Sequence, residues 1–137
     1  MNKFKQMLEF QGVTETTAEK LCFGPDIWAV LKKSPNQTIL KSFKSGYVEN
    51  IDALIIGRAC VGLGAGRSGK SSKIDTTVGV ELLKSVNDFI EENEEWICVY
   101  HREQILDDEV KATLASALHL IQEQKTGSKS KISKILK

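Results

Sequence analysis

Apolar positions in the first 45 residues recur at helical spacing and are joined by short loops. Gly24-Pro25-Asp26 places a proline at a first helical position, and Ile27, Val30 and Leu31 repeat behind it until Ser34-Pro35 stops the run. Ile39, Leu40 and Phe43 predict another short helix, ended by Gly46. From Ile51 the pattern turns β-branched and continuously apolar, which predicts a strand at Ala53 to Cys60, followed by a Gly- and Ser-rich loop from Gly62 to Ser72. Val78, Leu82, Leu83, Val86, Phe89 and Ile90 share one helical face, with Asp75 or Thr76 as N-cap and Gly79 in the first turn. Trp96 to Tyr100 reads as a short strand apolar on both faces. Asp107 caps a last helix whose stripe is Val110, Leu114, Ala117, Leu118 and Ile121, and Gly127 ends it. The expected fold is α/β (α+β): a single small domain over 1–126 with a few-stranded central sheet packed by helices. A flexible Lys-rich tail is expected at 127–137.

Composition narrows this picture. The 137 residues are 41% hydrophobic and 27% charged, the profile of a globular chain able to bury its own core. No apolar stretch approaches the ~20 residues of a membrane helix, and the first ten residues show no secretory apolar region. Three scattered cysteines, Cys22, Cys60 and Cys98, fit free thiols in a reducing compartment better than a disulfide framework. The expected location is the cytoplasm.

Candidate chemistry lies first in Gly64-Ala65-Gly66-Arg67-Ser68-Gly69-Lys70-Ser71, which matches the phosphate-loop pattern G-x-x-x-x-G-K-[ST]. In such a loop Gly64, Gly66 and Gly69 turn backbone N–H groups onto phosphate, Lys70 reaches the terminal phosphates, and Ser71 holds magnesium. The sequence that follows fits less well, because six residues separate Ser71 from the next helical periodicity. The plain alternative is a turn-forming glycine loop. His101 and His119 are candidates for an acid–base pair, with packed or surface histidines as the alternative. There is no nucleophile elbow and no short-spaced metal-ligand cluster, so no metal is expected.

Charge is unevenly placed. The formal net charge is +1, which disfavours a dedicated duplex-binding domain. Yet residues 88–109 hold nine acids against the single base Arg102, a net of −8. Asp88, Glu91, Glu92, Glu94, Glu95, Glu103, Asp107 and Asp108 are therefore candidate partner-binding residues, with a solvated face as the alternative. Asp107 and Asp108 also suit a helix N-terminus. At the other end, Lys125, Lys129, Lys131, Lys134 and Lys137 give the C-terminal 13 residues +5 without an acid, a weak match to nucleic acid or membrane surfaces.

One segment carries a family resemblance. Gly57-Arg58, the loop Arg67-Ser68-Gly69-Lys70, then Ile74-Asp75, then Gly79 followed by Leu82-Leu83 and Val86 resemble the end of the contact-dependent growth inhibition immunity proteins of bacteria. The resemblance implies a small cytoplasmic protein that binds one cognate toxin domain, commonly a nuclease, without catalysis or cofactor. The acidic residues then face a basic partner. The expected function is an immunity or toxin-inhibitor protein, a toxin–antitoxin type of protein–protein interaction. The alternatives are a phosphate- or nucleotide-binding protein acting through loop 64–71 and, third, an RNA-associated accessory protein acting through the lysine tail. No membrane partner and no stable nucleic-acid binding are expected.

Overall fold

The computed structural model describes residues 1–67 and 73–124. The lysine tail expected at 127–137, and Gly69, Lys70 and Ser71 of the glycine motif, lie outside the described residues. The fold is α+β, as expected, with four α-helices and six strands in two three-stranded sheets among the described residues. Helices α1 (Asn2–Phe10) and α2 (Glu15–Phe23) come first, followed by a 3-10 turn at Ile27–Ala29. Then follow β1 (Asn36–Lys41), β2 (Gly46–Ile51), α3 (Ala53–Leu63), β3 (Gly79–Leu82), β4 (Phe89–Ile90), β5 (Glu95–His101), α4 (Asp108–Ser116) and β6 (Leu118–Ile121). The chain divides into two compact units. One holds 1–38, 60–80 and 99–106, the other 39–59, 81–98 and the described residues from 107 onward.

The predicted strand at Trp96 to Tyr100 is β5, the middle strand in the order β1-β5-β3. Its run Trp-Ile-Cys-Val-Tyr is buried on both faces, which is why it shows no apolar–polar alternation. Both its neighbours run antiparallel to it. Ser34 and Ser42, at either end of β1, bond to His101 and Glu94 in reversed order, and Leu83 N–H, just beyond β3, donates to Trp96 C=O.

The second sheet has the order β4-β2-β6 and is also antiparallel. Tyr47 pairs with Phe89 across β2 and β4, their rings edge to face with centroids 5.1 Å apart. A bulge between Val48 and Asn50 shifts the β2–β6 register, so that Asn50 faces His119 and Ile51 faces Leu118. Gly46 is required here, because a Cβ would lie 2.8 Å from the Ile121 carbonyl oxygen.

Four local expectations are corrected. Ala53 to Cys60 is helix α3, not a strand. Asp52 caps it, its Oδ1 accepting from Leu54 N–H at 2.9 Å and Ile55 N–H at 3.1 Å. A continuous apolar run does not distinguish a buried strand from a helix, and the cap decides it. Ile39 to Phe43 is not helical; Ile39 and Leu40 belong to β1. The helix expected over Val78 to Ile90 is β3, a turn and β4, with Asn87 at φ 75° breaking any helical path. The helix capped by Asp107 ends at Ser116, whose hydroxyl bonds back to Thr113 C=O at 2.7 Å. Leu118 to Ile121 then continues as β6.

Leu114 is fully buried, whereas Phe10 on α1 is 91% exposed. Leu114→Ala is expected to lower unfolding stability by roughly 2–5 kcal/mol and Phe10→Ala by under about 0.5 kcal/mol, read by urea denaturation of the isolated chain.

Candidate functional site

The end of α3 shows what the glycine motif does locally. Ala65 N–H bonds to Cys60 C=O at 2.9 Å and Gly64 N–H to Val61 C=O at 3.0 Å, the paired bonds of a Schellman helix stop. Gly64 occupies the position after the cap at φ +106°, where a side chain is strained. A phosphate loop follows a strand and opens a helix N-terminus, where N–H groups point outward. Here the described part of the motif follows a helix C-terminus, whose free carbonyls favour cations over phosphate.

Asp75 is the centre of the polar network that holds this loop. Its N–H donates to Gly64 C=O at 2.8 Å. Its Oδ1 accepts from the Thr77 N–H at 2.9 Å and from the Thr77 hydroxyl at 2.7 Å, and its Oδ2 accepts from Arg102 Nε. The Thr77 hydroxyl first, then the Thr77 N–H and Arg102, hold the Asp75 carboxyl below the usual carboxylate range. Thr77 C=O accepts from Ser34 N–H at 2.7 Å, and the Ser34 hydroxyl donates to His101 C=O at 2.5 Å. Asn36 Nδ2 donates to Arg102 C=O at 2.7 Å. All these residues belong to the unit that contains the N-terminal helices.

His101 is buried in the same network, with its Nε2 2.8 Å from Thr38 Oγ1. Its Nδ1 has no hydrogen-bond partner among the described residues. A buried lone pair without a donor costs less than a buried N–H without an acceptor. A proton on Nε2, donating to Thr38, leaves only that lone pair unpaired. His119 is an exposed residue of β6 and belongs to the other unit, so nothing in the described structure makes the two histidines an acid–base pair. Close to His101 in sequence, Tyr100 and Trp28 flank the Lys33 ammonium, at 5.0 and 4.5 Å from their ring centroids.

Four of the eight acidic candidates, Asp88, Glu94, Asp107 and Asp108, have carboxylates in local work. Two turns share one design. In Ser85–Asp88 the Asp88 N–H bonds to Ser85 C=O at 3.1 Å, Asn87 takes the positive φ, and Asp88 Oδ2 accepts from Ser85 N–H at 2.7 Å. In Glu91–Glu94 the Glu94 N–H bonds to Glu91 C=O at 3.1 Å, Asn93 takes a φ of 65°, and Glu94 Oε2 accepts from Glu91 N–H at 2.8 Å. Glu94 Oε1 also pairs with Lys84, and Lys84 first, then the Glu91 N–H, lower the Glu94 pKa. Glu92 N–H is held by the Ser45 hydroxyl at 2.8 Å. Asp107 caps α4, accepting from Glu109 N–H at 2.7 Å, and Asp108 pairs with Lys111 at 2.8 Å. Glu95 opens β5 as its exposed first residue. Glu103 lies in the first unit and the other seven candidates in the second.

The sequence reading missed Asp75 as a network centre and treated Arg102 only as a lone base. The available signal was the spacing Asp75-x-Thr77, which allows an aspartate to accept from the backbone N–H two residues on.

The family model described as pyrimidine nucleoside phosphorylase C-terminal domain matches residues 47–120, more than half of the chain. The chain belongs to this family. Pyrimidine-nucleoside phosphorylases of Staphylococcus aureus strains USA300, NCTC 8325 / PS 47 and COL are each 36% identical to it over 111 residues. That stretch is 81% of this chain and 24% of the relative, so the chain spans about a quarter of the length of the curated relatives it matches. Membership in the pyrimidine nucleoside phosphorylase C-terminal domain family overturns the growth-inhibition resemblance, and with it the immunity function, the toxin partner and the expectation of a protein unconnected with catalysis. The resemblance rested on reading Gly79, Leu82, Leu83 and Val86 as one helix face. Gly79 to Leu82 is a strand, and Leu83 and Val86 lie beyond it. The alternative of nucleotide or phosphate binding stands closer to the family than the toxin reading does. Among the described residues no helix is long and apolar enough to cross a membrane, and no three His, Cys, Asp or Glu side chains gather as a metal site.

A depressed native carboxyl contributes stability at neutral pH that disappears as pH falls through its lowered native value. Asp75→Asn is therefore expected to unfold at lower urea than the parent at pH 7. The gap should be complete above about pH 4 and narrow below it as the parent's Asp75 protonates. Equal midpoints at pH 7 would remove Asp75 from the account of the loop.

Proposed function

We propose that this chain serves as the C-terminal domain of a pyrimidine-nucleoside phosphorylase, an activity in which phosphate takes the glycosyl group of a pyrimidine nucleoside and the base departs. The observation that carries the reading is the family match over 47–120, supported by 36% identity over 111 residues to phosphorylases of S. aureus. The described residues suggest a supporting rather than a reacting role. Asp75 and Asp107 are engaged in a loop tie and a helix cap, and Glu94 in a turn. Each of these spends its carboxylate on the chain's own backbone, which suits a rigid module. Cys22, Cys60 and Cys98 form no disulfide among the described residues, which supports a cytoplasmic enzyme.

The test is a fusion in which the whole chain replaces the matched quarter of the S. aureus enzyme. The expected result is phosphate-dependent release of pyrimidine base from a pyrimidine nucleoside, absent from the same enzyme shortened by that quarter. A fusion that folds to the parent's thermal midpoint yet releases no base would overturn the reading.

A further inference from the structure

Helix α1 is built the opposite way round from an ordinary surface helix. At ~100° per residue its apolar side chains Phe4, Met7, Leu8 and Phe10 fall on one arc, with Lys5 and Glu9 on the other side. In a self-sufficient domain the apolar arc turns inward. Here α1 has no buried residue, and Phe4, Met7 and Phe10 are 49%, 56% and 91% exposed. The better covered positions are Lys5, Leu8 and Glu9. The Lys5 side chain is only 21% exposed and reaches Glu9 and Glu15 at 3.5 Å and Glu19 at 2.9 Å. Glu19 chiefly, with Glu9 and Glu15, raises the Lys5 pKa above its ordinary value. The ion cluster ties α1 to α2, with Leu8 of the apolar arc half-buried while Phe4, Met7 and Phe10 stay exposed.

We propose that Phe4, Met7 and Phe10 dock on the part of a pyrimidine-nucleoside phosphorylase that this chain does not match. The inference rests on the function proposed above. Two observations choose this occupant. The matched stretch is 24% of the relatives' length, so three quarters of that polypeptide has no counterpart here, and α1 itself lies outside the residues 47–120 of the family match. The second is size. A nine-residue helix is ~13 Å long, far too small to give the ~800 Å² per partner that holds a standard dimer. A second copy is thus poorly served by this face alone, whereas a larger contact with the rest of the enzyme can include it.

The test is hydroxyl-radical footprinting of the isolated 137-residue chain and of the S. aureus fusion that carries it. Met7 oxidation is expected to slow at least about fivefold in the fusion, with Phe4 and Phe10 protected in parallel. The isolated triple variant Phe4→Asp, Met7→Asp, Phe10→Asp is expected to melt within about 3 °C of the parent, while the fusion bearing it melts clearly lower. Equal Met7 oxidation in both proteins overturns the docking. So does sedimentation of the isolated chain as a dimer that the triple variant abolishes, since the occupant is then a second copy. An inactive fusion with a protected α1 counts against the proposed function and not against the docking, because footprinting reads the surface independently of base release.

Discussion

A strand buried on both faces depends on neighbours at both edges, and β5 places that requirement at the middle of the sheet β1-β5-β3. Its apolar run from Trp96 to Tyr100 leaves no polar face for water, so both sides must be covered and both edges must find hydrogen bonds. β1 supplies one edge and β3 the other. The strand runs into both compact units, and the polar residues that follow its apolar run, His101 and Arg102, carry the network that holds the loop after α3.

The acidic segment takes on a different meaning in this light. Asp88 and Glu94 close two turns of the same construction, each with an asparagine at positive φ and a carboxylate folded back onto the first residue's N–H. Asp107 does the corresponding job at a helix start. A net of −8 over 22 residues looked like a surface awaiting a basic partner. Three of its nine acids, Asp88, Glu94 and Asp107, also satisfy backbone donors where the chain reverses or a helix begins, and such donors are costly to leave unpaired.

Elements set by strong local chemistry were legible in the sequence. β5 was visible as a two-sided apolar run and α4 through its Asp107 cap, whereas of the helical runs read at Ile27–Leu31 and Ile39–Phe43 the first is only a 3-10 turn and the second falls partly in β1. The errors arose where two periods fit the same residues. Val78, Leu82, Leu83, Val86, Phe89 and Ile90 satisfy a helical face, yet Asn87 at the turn position overrides it. Ala53 to Cys60 satisfies a buried strand, yet Asp52 and the Gly64 stop bracket a helix. The candidate site was less legible because it is tertiary: Ser34, Asp75, Thr77 and Arg102 are far apart in the chain and meet only through β1, β3 and β5. The phosphate-loop pattern is ambiguous in sequence because spacing alone does not say whether a helix ends or begins at the loop.

Native-state hydrogen exchange tests the dependence on β5 most directly. If the strand is the constraint on which the rest relies, the amides of Ile97, Cys98, Val99 and Tyr100 exchange last in the chain and only through global unfolding, while α1 amides exchange early. Exchange of those four amides through local openings, at rates like those of α1, would contradict the account.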